Sequence, residues 1–328
     1  MKIFISIASY QDPLLETTVL SAFNNAITPE NLHFGICDQS LKPLDISLFS
    51  FASQISYEHI DPKTSEGPCW ARHRIQNFYE NEDYYFQIDS HMQFENGWDE
   101  YLLKYMIKIQ SDQSEFHKLP IISSYPRAFD VIDFDKKIFK LLDDDKKTHT
   151  IAYREDSIFL KDSFSRQIGA ISETEITHGY LLAAGCLLAP GSFVKEVPYD
   201  SEFYFYGEEI SIMLRAFTRG FSIFHIPAVP VFHLYTDVSD IKRKLHWDEE
   251  EDKKREIKWH EREKKSIERL SQIIDGRLDG IFGLGDKRSL EDYEFLSGIN
   301  FKKRSITNKS KAITADFISS LSWKESPF

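Results

Sequence analysis

Asp89, Ser90 and His91 stand where an apolar, aromatic run, Tyr84-Tyr85-Phe86-Gln87-Ile88, gives out. The run reads as a buried strand. Residues two apart in an extended chain project to the same side, so Asp89 and His91 can meet one cation while Ser90 points away. Such a pair could hold a divalent ion against a diphosphate. The carboxylate suits Mg²⁺ or Mn²⁺, and the imidazole tilts the choice toward Mn²⁺. Alone, the triplet is a weak signal and reads first as a capped strand end. A second constellation, Gly207-Glu208-Glu209, follows four aromatics, Phe203 to Tyr206, and opens a helical pattern. Two acids in a first turn are favoured by the helix dipole. Neighbours on a helix diverge by about 100°, so one of the two, with Glu209 preferred, should face a site and orient a hydroxyl or act as its base.

These residues need strands and helices to position them. Residues 2–8 read as a first strand, Leu32–Cys37 as a second, Ile55–Ile60 as a third and residues 84–88 as a fourth. Asp12-Pro13 starts one helix and Pro68 another. Strand and helix alternate, which predicts an α/β fold with a mostly parallel sheet, whose functional residues gather at strand carboxyl ends. Ser9, Tyr10, Asp38 and Asp89 fall there. Asp38 could accept from a base N–H or simply open a turn. Arg72 and Arg74 lie on different faces of the Pro68 helix; one is expected at the nucleotide, the other on surface carboxylates. Ala183-Ala184-Gly185 would let backbone approach a ligand closely. Further on, Ile121–Tyr125 reads as a strand, residues 130–161 as charged and irregular, and Asp143–Asp145 as a solvated turn. Ile210–Arg219 reads as a helix, and Phe221–His225 and Val229–Leu234 as the strands that complete the sheet. His178 is a rim candidate. Residues 248–269 read as one charged surface helix with i,i+4 pairs, a solvated face or a contact between copies of the chain.

At 328 residues with 41% hydrophobic content, the chain can bury a large core. A net charge of −12 argues against nucleic acid as a partner. No apolar stretch approaches the ~20 residues of a membrane helix, and the N-terminus lacks a signal-peptide pattern. Three scattered cysteines fit a reducing, cytoplasmic setting. No Gly-x-Gly-x-x-Gly follows the first strand, which sets a dinucleotide oxidoreductase aside.

Six segments in order resemble the GlcNAc-transferase family of cytoplasmic polypeptide N-acetylglucosaminyltransferases. They are Ile5-Ser6-Ile7-Ala8-Ser9-Tyr10 with Asp12-Pro13, Gly67-Pro68-Cys69-Trp70-Ala71-Arg72, Gln87-Ile88-Asp89-Ser90-His91-Met92, Phe205-Tyr206-Gly207-Glu208-Glu209, Phe232-His233-Leu234-Tyr235 and residues 283–290. The resemblance spans roughly 3–304. It implies a GT-A fold, a UDP-sugar donor, a divalent metal, and GlcNAc transfer to a hydroxyl on a protein or glycan; the family's best-known members modify a hydroxyproline of a ubiquitin-ligase subunit. His233, by its residues alone an ordinary rim histidine, becomes the third metal ligand beside Asp89 and His91. Arg72 becomes the functional arginine. Ser9, Tyr10, Asp38, Arg72, Asp89, Ser90 and Gly185 form the expected nucleotide-sugar set, and Glu208 and Glu209 the catalytic pair. The expected domains are a catalytic unit over 1–236 (nucleotide half to about 95), a helical extension over 237–304 and a flexible polar tail over 305–328. Transfer of galactose, glucose or GalNAc, a diphosphate hydrolase, and a silent carbohydrate- or nucleotide-binding module are the alternatives.

Overall fold

Strands β1 (Ile3–Tyr10), β2 (Leu32–Gln39), β3 (Ile55–His59) and β4 (Tyr84–Asp89) run parallel, in the spatial order β3-β2-β1-β4. Along β1, Ile3, Ile5 and Ile7 pack into one buried cluster and Phe4 into another. In β4, Phe86 and Ile88 join the first cluster and Tyr85 the second. Alternate side chains leave on opposite faces, so such unbroken apolar runs need cover on both. Helices α1 (Leu15–Asn24), α2 (Pro68–Ile75) and α3 (Trp98–Gln110) begin to supply it: α1 and α3 on the isoleucine face, α2 on the Phe4 face.

The computed structural model describes residues 1–142, 146–159, 166–173, 175–235 and 243–328. The aspartates 143–145, expected in a turn, lie outside them. The remaining strands among the described residues are β5 (Met92–Phe94), β6 (Pro120–Ser123), β7 (Arg127–Asp133), β8 (Ile138–Leu141), β9 (Thr148–Tyr153), β10 (Gln167–Glu173), β11 (Thr177–Gly179), β12 (Cys186–Pro190), β13 (Ser222–His225), β14 (Val231–His233) and the short pair β15 (Ile299–Asn300) and β16 (Ser305–Ile306). Strand β12 lies antiparallel between β4 and β6, and β13 and β11 extend the sheet to eight strands. The fold is the expected α/β arrangement, its sheet parallel in one half and mixed in the other.

Two sequence expectations are corrected here. Val229–Leu234 does not complete the main sheet: β14 sits between β5 and β7 in a separate four-stranded sheet, with His233 opposite Met92. Nor is 130–161 irregular throughout. Strands β7 and β8 form a hairpin, with Lys136 and Lys137 in the turn rather than in the strands.

Four-residue α4 (Phe193–Glu196) is followed by α5 (Glu208–Thr218). The charged stretch after residue 248 is not one helix. A single turn, α6 (Glu249–Asp252), stops before α7 (Trp259–Ile274). Lys258 Nζ donates to the carbonyls of Asp252 and Arg255 at 3.0 and 2.6 Å, and Asp252 Oδ1 takes the backbone N–H of Trp259 at 2.9 Å. These bonds satisfy helix-end groups that a continuous helix would pair internally. Of the expected i,i+4 pairs, Glu249–Lys253 forms at 2.9 Å, whereas Lys254 takes Glu251 at i,i+3.

Helix α7 buries Leu270, Ile273 and Ile274 in the cluster that holds Phe4. Helix α8 (Leu290–Ser297), capped by Ser289 and Asp292, adds Leu290, Tyr293 and Leu296. The last residues, read as a loose tail, form α9 (Lys309–Thr314) and α10 (Asp316–Ser319), with Ala312, Ala315 and Ile318 buried in the same cluster. Among the described residues no helix is long and apolar enough to cross a membrane.

His178 belongs to this packing, not to a rim. It is fully buried, and its Nε2 lies 2.9 Å from the carbonyl of Glu325. Burial holds His178 and His225 down at about 4 and His246 at about 3. Each therefore stays neutral in the fold but takes a proton at about 6.5 when unfolded. Stability from these groups is complete above about pH 6.5 and is lost as pH falls from there toward the folded values, roughly 3 kcal/mol each for His178 and His225 and roughly 5 for His246. Urea midpoints measured from pH 7.5 to 4 are expected to fall across that window; flat midpoints down to pH 4.5 would contradict the burial argument.

Candidate active site

The parallel register sets Ser9 opposite Asp38 and Ala8 opposite Asp89, so three strand ends meet along one edge. Asp89 is the hub. Its Oδ1 accepts from Arg72 Nη2 at 2.9 Å, and its Oδ2 lies 3.3 Å from His233 Nε2. Burial works to raise the Asp89 pKa, but the His233 hydrogen bond and the Arg72 charge outweigh it and hold the carboxyl far below the usual range. His91 lies just past the strand. Its Nε2 is 2.9 Å from His233 Nε2, and its Nδ1 is 2.7 Å from Asp12 Oδ2. An ionised carboxylate only accepts, so Nδ1 carries the proton and the Nε2 lone pair faces His233. Ser90 is not turned away as the extended-strand argument predicts, since β4 ends at Asp89. Its Oγ donates to the same Asp12 oxygen at 2.9 Å.

Asp12 is thus a site residue that the sequence reading took only for a helix start. Both roles exist: Oδ1 accepts from Leu14 N at 2.9 Å, and Oδ2 serves His91 and Ser90. The guanidinium of Arg243 also reaches His91 Nε2 and donates to the Leu234 carbonyl at 3.0 Å. Local spacing carries no signal for that contact.

Arg72 is buried and bridges Asp89 to Glu208, while Arg74 pairs with Glu58 near the sheet edge. Glu208 also accepts from Tyr199 OH at 2.8 Å. Gln87 Nε2 contacts that hydroxyl and the Ala184 carbonyl, both at 2.5 Å. Glu209, the next residue, accepts from Ala184 N at 2.9 Å and from Gln167 Nε2 at 2.6 Å. Burial, only partly offset by the Ala184 N–H, pushes its carboxyl up to about 7. The Ala183–Gly185 segment is therefore clamped from both sides. A Cβ at Gly185 would sit 2.4 Å from Asp89 Oδ2, so a side chain there must displace the carboxylate. Gly185→Ala is expected to cut turnover by roughly 10²-fold, the scale of an ångström-sized misplacement, while melting shifts by only a few degrees; wild-type turnover would show that Asp89 has room to move.

Arg72, Asp89, Gly185, Glu208, Glu209 and His233 line one cavity of about 610 Å³. Asp12, Asp38, Ser40, Leu44 and Phe49 line a second, of about 340 Å³. Asp38 Oδ2 is engaged by Tyr57 OH at 2.7 Å and Leu44 N at 3.1 Å, as the turn reading expects, at the wall of that second cavity. Ser9 is fully buried. Tyr10 donates to Glu251 Oε2 at 3.1 Å, contacts the Arg255 guanidinium, and has its ring 5.0 Å from His246. Neither Ser9 nor Tyr10 lines either cavity.

A carboxylate and two imidazoles offer one ligand atom each, all within 4.8 Å of one another, at the carboxyl edge of a half-parallel sheet. A group of this kind could hold a divalent cation. The family model for "Glycosyltransferase (GlcNAc)" matches residues 2–50 and 44–303, and the chain belongs to that family. Among solved structures, GalNAc-T7 with UDP, GalNAc and Mn²⁺ has a TM-score of 0.56 at 14% identity, over 74% of this chain and 45% of GalNAc-T7. This chain therefore spans less than half of that relative. TarS 1–349 of S. aureus with UDP-GlcNAc aligns at 11% identity over 75% of this chain and 60% of its own, with a TM-score of 0.41. No curated protein matches the sequence. The chain is a glycosyltransferase by family, with the fold of that class.

Proposed function

We propose that this glycosyltransferase moves GlcNAc from UDP-GlcNAc to a hydroxyl acceptor, assisted by a divalent cation with Mn²⁺ favoured over Mg²⁺. The observation that carries the reading is the convergence of Asp89, His91 and His233, two of which, Asp89 and His233, line the larger cavity beside Gly185. The donor set fits such an ion: one oxygen and two nitrogens favour a transition metal over Mg²⁺, and Asp12 fixes the tautomer of His91. When bound, the ion supplies positive charge against a departing diphosphate. The rest falls to the chain's own groups. Arg72 holds Asp89 and Glu208 in place, Gly185 leaves space beside the carboxylate, and Asp38 stands at the second cavity, where a uracil ring would be read. Glu209 is poised to take the acceptor's proton. The Mn²⁺ and UDP of the GalNAc-T7 structure support the ion and the donor class. The three cysteines, all free and buried, support a cytoplasmic setting.

The test is UDP release from a panel of UDP-sugars with Mn²⁺, with Mg²⁺ and with EDTA. Slow release from UDP-GlcNAc, lost on chelation, is expected; no release together with no calorimetric UDP binding would sink the reading. A base must be unprotonated, so the rate should climb with pH through about 7 and level off above. Glu209→Gln should erase that limb, and a limb that survives would move the base elsewhere.

A further inference from the structure

Two of the five tryptophans are more than a third exposed, Trp247 at 37% and Trp259 at 38%, and both line the larger cavity. Phe205, 45% exposed, joins them, its ring 4.9 Å from that of Trp247. Rings of this size are usually buried, and a cluster left in water beside a cavity marks a contact surface. Two polar groups of the same lining offer acceptor atoms near the rings. Gln167 donates through Nε2 to Glu209, while its Oε1 is buried without a partner among the described residues. Glu263 accepts from the backbone N–H of Tyr206 at 3.0 Å. A buried acceptor without a donor is costly, so Gln167 Oε1 calls for an O–H or N–H from a ligand.

We propose that this aromatic part of the cavity receives a neutral saccharide as acceptor, an inference that rests on the transferase reading above. A pyranose has a C–H face that can cover an aromatic ring and an edge of hydroxyls that can donate to Gln167 and Glu263. A peptide brings isolated apolar side chains rather than a continuous C–H face to set against the rings. Anionic acceptors are disfavoured because Glu208, Glu209 and Glu263 line the cavity and Arg72 is already committed to Glu208 and Asp89, which leaves Arg166, beside the neutral Tyr206 hydroxyl, outnumbered by carboxylates. In the transfer, the bond from the sugar's anomeric carbon to UDP breaks and UDP leaves with the electron pair. The acceptor oxygen bonds that carbon and its proton passes to Glu209.

The full chain, with Mn²⁺ and UDP-GlcNAc, is offered nitrophenyl glycosides of neutral mono- and disaccharides, a sialylated glycoside, and serine and hydroxyproline peptides. Products are read by mass. Neutral glycosides should be extended and the sialylated one not. Trp247→Ala and Trp259→Ala should each raise the glycoside KM about tenfold, with Trp259→Phe recovering most of the loss. Separately, neutral glycosides should quench tryptophan fluorescence of the protein with or without UDP, less so in Trp259→Phe. Extension of a peptide in preference to every glycoside would overturn the inference. So would donor hydrolysis with no glycoside extended, or unchanged KM in both alanine variants. Loss of UDP binding and hydrolysis together would instead remove the transferase reading, and the fluorescence titration would still report on the saccharide.

Discussion

Asp89→Ala is expected to lower metal-dependent UDP release by roughly 10²–10³-fold, the scale on which removal of one preorganised electrostatic group acts. The size follows from what Asp89 touches. It is the one carboxylate of the candidate ligand set, and it joins Arg72 on one oxygen to His233 on the other. Without it, two neutral imidazoles remain to hold a cation. The fold should survive, because Arg72 keeps Glu208 as a counter-charge. Steady-state release at several Mn²⁺ concentrations, beside a thermal melt, separates the two effects. Release within threefold of wild type, with an unchanged Mn²⁺ dependence, would remove Asp89 from the site.

Arg72→Met is expected to cost stability as well as activity, by about 3–5 kcal/mol, the usual result of leaving buried charge without its partner. Burial opposes the guanidinium charge, yet Glu208, Tyr199 and Asp89 raise its pKa well above the ordinary value. With the arginine gone, Glu208 would be a buried carboxylate without a counter-charge, left with the Tyr199 hydroxyl and the Cys69 thiol. The double variant Arg72→Met/Glu208→Gln should therefore regain part of the loss, and a double-mutant cycle in urea measures how much. A single-variant loss below 1 kcal/mol would mean that the pair is solvated and contributes little.

The parts of the fold visible in the sequence are those where one local rule suffices. Strands β1, β2 and β4 are buried on both faces, so their apolar runs stand out, and Asp38 and Asp89 mark where those runs stop. Helix α5 was legible from its spacing and from Gly220 after it. What stayed hidden depends on distant partners. His91 meets His233 because β5 pairs with β14, a register set by tertiary packing. Asp12 looked like a helix start because one of its oxygens is one, and the second oxygen has no local signature. Residues 249–255 carry a pattern shared by solvated helices, yet Glu251 and Arg255 are buried and turn back onto Tyr10. Charge spacing cannot distinguish a solvated face from a buried clasp.

His91 and His233 are 142 residues apart, and Arg72 and Glu208 are 136 apart. The site's residues come from distant parts of the chain, so it forms only when the two sheets are in place, and contacts of such long range slow folding. Occupancy and folding are then thermodynamically linked. A cation held by Asp89, His91 and His233 at a hundred times its dissociation constant would add about 2.7 kcal/mol to the folded state. For a protein of marginal stability, that shift is enough to change the fraction open to proteolysis. The supply of metal ion would then govern how long each molecule lasts as well as how fast it turns over.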